Sequence, residues 1–134
     1  GALHAARQQG AETEKVAAMG YCFGGAAALE LARSETALKG FATFHGGLGT
    51  PEGQDYSKTR GKIIIFHGTA DTAITMDDFA ALAKELEAAK IPHEMTSYGN
   101  APHGFTLFGT PAYRLEADKQ SWKRFIKFLE EIFS

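Results

Sequence analysis

Three side chains that could carry out nucleophilic catalysis follow predicted strands in the order thiol, carboxylate and imidazole. Cys22 ends the first strand, Asp71 follows the third and His103 follows the fourth. In a triad of this kind the imidazole takes the proton of the nucleophile, and the carboxylate orients the imidazole and stabilises its charged form. The sequence therefore predicts Cys22 as nucleophile, His103 as general base and Asp71 as the residue that orients His103.

The glycines around Cys22 predict a sharp turn from strand to helix. Gly20 and Gly24 lie two residues before and after the thiol, and Gly25 follows. A nucleophile on such a turn has a strained backbone, and we expect neighbours two residues away to lack a Cβ. The turn places Cys22 at a helix N-terminus, where we expect a lowered thiol pKa and an oxyanion-binding N–H from Phe23.

Other interpretations exist for each of these residues taken alone. A lone cysteine is more often a small buried residue than a nucleophile, and an accessible thiolate can also sense oxidants. Asp71 alone would be a turn or cap residue, and His103 alone a structural loop residue. Their order and placement together favour the triad, and a redox sensor would not need Asp71.

The remaining histidines receive structural interpretations. Residues 45–47, His-Gly-Gly, resemble an oxyanion loop but come after the nucleophile, whereas such a loop precedes it, so we interpret them as a strand end. We expect His67 to shape the turn before Asp71. We expect His4 and His93 to lie on the surface.

Metal and phosphate sites are not predicted. Asp77 and Asp78 form a carboxylate pair, but their position after Thr75 is explained by helix capping. No cluster has a convincing metal-ligand spacing, and residues 20–25 lack the Lys-Ser/Thr ending of a phosphate loop. We therefore expect no metal site and no phosphate-binding loop.

The elements that must position these residues alternate between strand and helix. Such alternation predicts right-handed crossovers and an α/β fold with a mostly parallel sheet and flanking helices. An apolar stripe at helical spacing near the carboxyl terminus predicts a long helix that covers the sheet. The predicted strands run from Val16 to Tyr21, Phe41 to His45, Lys62 to His67 and His93 to Tyr98, the helices from Ala26 to Arg33, Thr75 to about Lys90 and Ala112 to Phe133, and the stripe comprises Trp122, Phe125, Ile126, Leu129, Ile132 and Phe133.

Composition bounds the class of protein. The 134 residues are 44% hydrophobic and 22% charged, which predicts a single globular domain over residues 1–134. A net charge of −2 and the lack of any long apolar run argue against nucleic acid and membranes as partners. One cysteine suits a reducing compartment, so we expect a soluble cytoplasmic protein. The chain begins with Gly1 and without a signal peptide, and we expect it to be cut from something longer.

These motifs together resemble the dienelactone hydrolase family of α/β-hydrolases. The resemblance rests on Gly-x-Cys-x-Gly-Gly at residues 20–25, on the His-Gly turn and aspartate at residues 67–71, and on His-Gly-Phe at residues 103–105. It implies the carboxyl-terminal half of that fold. It also implies hydrolysis of a small carboxylic ester or lactone through an acyl-thioester at Cys22, without metal or organic cofactor.

The sequence departs from the family in two ways. Family members continue much further on the amino-terminal side, where the resemblance places the second oxyanion donor. An arginine that binds the substrate carboxylate is replaced by Leu107, so dienelactone itself is not the expected substrate. The alternative is a non-catalytic protein of this fold that serves ligand binding or assembly.

The amino-terminal strands that family members have and this chain lacks also affect its expected association. The strand from Val16 to Tyr21 would become an uncharged sheet edge with both faces apolar, and such edges pair with another chain. We expect a homodimer or larger assembly through this edge or through a preceding helix from Ala2 to Gln9.

Overall fold

The computed structural model describes residues 1–134 and contains one sheet with helices on both faces. Its four strands are all parallel and lie in the order β1-β2-β3-β4, which confirms the predicted α/β class. None of the helices combines the length and apolar character that a membrane span requires. The elements are α1 (Ala2–Gln8), β1 (Ala17–Tyr21), α2 (Phe23–Arg33), β2 (Gly40–Phe44), β3 (Lys62–Gly68), α3 (Met76–Ala88), β4 (His93–Tyr98) and α4 (Leu115–Phe133).

The core is divided by the sheet into two layers because alternate residues of a strand face opposite sides. Ile63 and Ile65 of β3 pack with apolar residues of α2 and α3, and Ile64 between them packs with α4. All three isoleucines are fully buried. A run of β-branched residues without alternation therefore marks a strand that is covered on both faces.

The last helix covers less of the sheet than predicted. It packs over β2 and β3 through Phe125 and Phe128, of which Phe128 was not among the predicted core residues. Trp122 and Ile126 are 47% and 40% exposed, so the prediction that they belong to the core is wrong. The apolar stripe is wider than the sheet surface beneath it. Of the other predicted members, Leu129, Ile132 and Phe133 are partly buried.

The third helix begins with the predicted cap. The Thr75 hydroxyl accepts from the Asp78 N–H, and the Asp78 carboxylate accepts from the Thr75 N–H, which closes a capping box. Asp77 lies beside it in the first turn, where a negative charge is favourable. The helix ends at Ala88, two residues before the predicted end, because Lys90 adopts a left-handed conformation with φ 56°.

The first strand lies at an edge of the sheet, as predicted. Since β1 pairs only with β2, its other side has no hydrogen-bonded neighbour. Met19 and Tyr21, which lie on one face of β1, are 39% and 37% exposed, so this apolar face is only partly covered.

Candidate active site

The candidate residues meet where the strands end. In the parallel register Tyr21 lies beside Phe44, Phe44 beside Phe66, and Gly68 beside Tyr98. The segments that follow the four strands therefore all leave the sheet at the carboxyl ends of its strands, which is where parallel α/β sheets hold their functional groups.

Cys22 occupies the predicted turn between β1 and α2. Its backbone has φ 52° and ψ −121°, a left-handed conformation that is strained for a residue with a side chain. The N–H of Cys22 donates to Phe44 O at 3.1 Å, and its carbonyl accepts from the N–H of Gly25 at 3.0 Å. The turn is thus fixed from the neighbouring strand on one side and from the helix on the other.

Two of the three glycines in this turn are required by space. A Cβ on Gly20 would collide with the backbone of Gly24, and a Cβ on Gly25 would collide with the Thr43 hydroxyl. A Cβ on Gly24 would meet nothing within 4 Å, so the prediction that Gly24 must lack a side chain is wrong. The collision is one-sided, because the turn closes the backbone of Gly24 onto Gly20 while the Cβ direction of Gly24 is open.

Phe23 is the first residue of α2. Its N–H precedes the helical hydrogen-bond ladder and is available beside the thiol. Its side chain is 87% exposed. The role of its N–H as an oxyanion donor stays a prediction.

Asp71 and His103 form the predicted pair. His103 Nδ1 donates to Asp71 Oδ2 at 2.9 Å, and the Asp71 side chain is fully buried while that of His103 is 42% exposed. The other carboxylate oxygen accepts from the N–H groups of Ala73 and Ile74 at 2.9 and 2.8 Å. Burial by itself would raise the pKa of Asp71, but these donors outweigh it and the pKa is lowered. Asp71 is therefore ionised and fixes the orientation of the His103 ring.

The thiol contacts His45, for which the sequence predicts only the end of a strand. His45 follows β2 and is fully buried, with Nδ1 3.3 Å from Cys22 Sγ and Nε2 2.8 Å from Thr106 Oγ1. Burial, followed by the nearby charge of His103, lowers the pKa of His45 to about 4. Neutral His45 is thus a polar partner of the thiol. The signal for this contact in the sequence is the position of His45 directly after β2, the strand that pairs with β1.

Cys22, His45 and His103 form one cluster. One donor atom of each residue lies within 4.8 Å of the other two. The structure therefore brings the predicted nucleophile close to the predicted base, with Asp71 behind that base, but the hydrogen-bond partner of the thiol is His45.

The other histidines have mixed outcomes. His67 Nε2 donates to Ile74 O at 2.8 Å, which braces the turn that carries Asp71, as predicted. His4 is exposed, as predicted. The surface assignment of His93 is wrong, because its side chain is only 15% exposed and its Nδ1 donates to Ile91 O at 2.6 Å. Leu107, at the arginine position of the resemblance, is 44% exposed.

The expected lowering of the thiol pKa is wrong. Burial, followed by the negative charge of Asp71, raises the pKa of Cys22. The helix N-terminus favours a thiolate, but desolvation and a nearby carboxylate oppose it, and the contacting imidazole of His45 carries no charge to offset them. The resting thiol therefore keeps its proton at neutral pH.

A raised thiol pKa predicts slow alkylation at neutral pH. Because only the thiolate reacts, the rate of Cys22 alkylation by iodoacetamide should rise with pH through a transition above the ordinary value of about 8.5. Asp71→Asn should move that transition to lower pH by removing the negative charge. Labelling rates measured by mass spectrometry between neutral and alkaline pH test this, and a transition near neutrality would contradict it.

Comparison with known proteins identifies the family to which the chain belongs. The profile of the Dienelactone hydrolase family matches residues 2–133. A Caenorhabditis elegans protein, K02A2.1, is 30% identical over 92% of this chain and 84% of its own length. A Synechocystis protein named "Putative carboxymethylenebutenolidase" is 29% identical over 83% of this chain and 48% of its own length.

A solved structure gives the same result. The dienelactone hydrolase-like promiscuous phosphotriesterase P91 from metagenomic libraries has a TM-score of 0.87 and 34% identity, covering 99% of this chain and 59% of P91. The chain thus spans about half of the Synechocystis protein and about three fifths of P91, and its sheet is part of an α/β-hydrolase fold. The chain belongs to the dienelactone hydrolase family.

Proposed function

We propose that the chain is a hydrolase of small carboxylic esters or lactones, or the carboxyl-terminal part of one, with Cys22 as its nucleophile. The observation that supports this most is that the Cys22 thiol and the His103 ring lie close together at the carboxyl ends of the strands. Asp71 binds the far side of that ring. Family membership supports hydrolytic chemistry. The ester or lactone substrate and the thioester route are part of the proposal.

In the first step Cys22 Sγ attacks the substrate carbonyl carbon. The resting thiol is protonated, so its proton moves to the free Nε2 of His103 as the sulfur–carbon bond forms. Asp71 holds the Nδ1–H of the same ring and stabilises the imidazolium. The N–H of Phe23 donates to the developing oxyanion. The imidazolium then returns its proton to the leaving alkoxide, which leaves an acyl-thioester on Cys22.

In the second step water replaces the alcohol. His103 takes a proton from the water as the water oxygen attacks the thioester carbon. The carbon–sulfur bond breaks, the acid is released, and the proton on His103 returns to the Cys22 sulfur. Before each cycle the thiol exchanges its contact with His45 for one with His103, whose ring nitrogen lies within 4.8 Å of the sulfur.

The segments that carry the nucleophile and the base expose apolar side chains. Phe23 and Leu107 are both exposed on the segments that carry the nucleophile and the base. Neither can bind the carboxylate that a dienelactone carries. We therefore propose simple esters and lactones with short apolar acyl chains as the substrate class, and no metal or organic cofactor enters the proposed reaction.

The test is the detection of the acyl-enzyme. After rapid mixing with p-nitrophenyl acetate and acid quenching, mass spectrometry should show an acetyl group on the peptide that carries Cys22. Nitrophenol release should continue beyond one equivalent. His103→Ala should lose the continued release, while His93→Gln, a histidine outside the site, should keep it. A parent chain that neither acylates nor turns over would favour the non-catalytic alternative of ligand binding or assembly.

We also propose that β1 pairs with β1 of a second copy. Val16 O and Cys22 N–H bond to the segment that contains β2, so the alternation along the strand points the N–H groups of Ala17 and Met19 at the open edge. The strand has no charge or proline to block pairing. A two-fold axis would satisfy the open donors and acceptors of both copies.

Ala17→Pro tests this pairing. The substitution removes an outward donor and leaves the bonds to β2 intact, so we expect a folded monomer, whereas the parent should be a dimer or larger. Ala18→Pro, the matched control, removes a donor on the β2 side and should unfold the edge. Sedimentation velocity and circular dichroism report both properties. A parent that is a folded monomer at micromolar concentration would contradict the proposal.

A further inference from the structure

The cluster of Cys22, His45 and His103 has the donor set of a zinc site. One sulfur and two imidazole nitrogens lie within 4.8 Å of one another, and the sulfur is 3.3 Å from Nδ1 of His45. Tetrahedral zinc with bonds of about 2.0 to 2.3 Å holds neighbouring donors roughly 3.3 to 3.6 Å apart. The contact between Cys22 and His45 already has this spacing, and the half-exposed His103 ring is the donor that must close in.

Both imidazoles are oriented from behind. His103 Nδ1 is held by Asp71 at 2.9 Å, which leaves Nε2 for a ligand. His45 Nε2 is held by Thr106 at 2.8 Å, which leaves Nδ1 facing the thiol. Histidines that bind metals typically use their second ring nitrogen in this way, with a carboxylate or another oxygen.

The backbone also holds Cys22 and His45 in place before a cation binds. Cys22 and His45 adopt left-handed conformations with φ 52° and 41°, which are uncommon for residues other than glycine. Such conformations persist only where the surrounding structure imposes them. The sulfur and the Nδ1 donor therefore need little reorganisation to bind a cation together.

We propose that Cys22, His45 and His103 bind a thiophilic divalent cation such as Zn²⁺ and that the bound ion blocks the thiol. Binding replaces the S–H proton, which is released to solvent, by a zinc–sulfur bond, and the two imidazoles bind as neutral ligands. A water completes the tetrahedron. The binding does not depend on the proposed hydrolysis. The functional consequence does rest on it, because zinc would occupy the nucleophile and the base at once.

The test measures binding without reference to activity. Titration of metal-free protein with Co²⁺ should give a thiolate-to-cobalt charge-transfer band that saturates at one ion per chain and is displaced by Zn²⁺. Zn²⁺ should slow alkylation of Cys22 by iodoacetamide, and EDTA should restore it. Cys22→Ser should abolish the band.

His45 distinguishes this site from a bare Cys-His pair. His45→Gln should weaken Zn²⁺ binding on the order of 100-fold, and Thr106→Val, which removes only the support behind the ring, by about tenfold. His93→Gln is the matched control and should bind like the parent. Circular dichroism in EDTA checks folding, and if His45→Gln does not fold, Thr106→Val decides.

The outcomes separate the two proposals. Zinc affinity that is unchanged in every folded variant of His45 and Thr106, or zinc binding that survives in Cys22→Ser, would overturn the site. Zinc binding with the expected variant effects in a chain that hydrolyses no ester would uphold the site and reject the proposed hydrolase. Hydrolysis that is insensitive to Zn²⁺ would reject the blocking role.

Discussion

Cys22→Ala and His103→Ala should each abolish turnover of p-nitrophenyl acetate. Loss of the nucleophile removes the covalent route, and we expect kcat to fall on the order of 10⁴-fold or more. Without His103 the Cys22 thiol keeps its raised pKa, and the imidazole that still contacts it is the neutral ring of His45. Asp71→Asn should lower kcat by an equal or smaller factor, because its role is to orient the ring and stabilise its charge.

The double variant Cys22→Ala/His103→Ala should have a kcat no lower than that of the less active single variant, because the effects of residues in one catalytic unit are not additive. Steady-state kinetics under matched conditions measure this, with His93→Gln as the histidine control. Undiminished turnover in Cys22→Ala would show that this thiol is not the nucleophile.

Gly20→Ala should be the most destabilising small substitution in the Cys22 turn. Its new Cβ would collide with the backbone of Gly24, and neither chain segment can move without breaking the turn that Phe44 and Gly25 hold. We expect the free energy of unfolding to fall by about 3 kcal/mol or more, at the upper end for substitutions that overpack a site.

Gly24→Ala is the matched control for that substitution. The two glycines lie at equal distances from Cys22, yet a Cβ on Gly24 meets nothing within 4 Å and joins the first turn of α2. We expect no loss of stability, or a gain of up to about 1 kcal/mol, since alanine is the better helix residue. Urea denaturation of both variants measures the difference. Equal destabilisation would contradict the one-sided collision.

Much of the fold could be predicted from local patterns. Strand β4 was predicted with its observed ends, and β3 was predicted to within one residue, because β-branched runs and the flanking Pro92 are local signals. The Thr75 cap was also visible in sequence. The pairing of Asp71 with His103 followed from the rule that parallel strands end at one edge.

What failed depends on contacts between distant segments. The contact of His45 with Cys22 arises from the register of β1 against β2, which no local pattern contains. The raised pKa of the thiol reflects burial and a carboxylate contributed by another loop. The exposure of Trp122 follows from how far the sheet extends beneath α4. In each case the residue type was recognised and its neighbours were not.

The buried ring of His45 has a consequence for the acid stability of the chain. Its pKa is about 4 in the folded chain, against an ordinary value of 6.5, so unfolding at mildly acidic pH takes up a proton that the folded site excludes. Its contribution to stability is complete above pH 6.5 and is lost as the pH falls from there towards 4. The shift corresponds to roughly 3 kcal/mol of proton linkage. His45, which contacts the proposed nucleophile, thereby makes the stability of the folded chain dependent on pH.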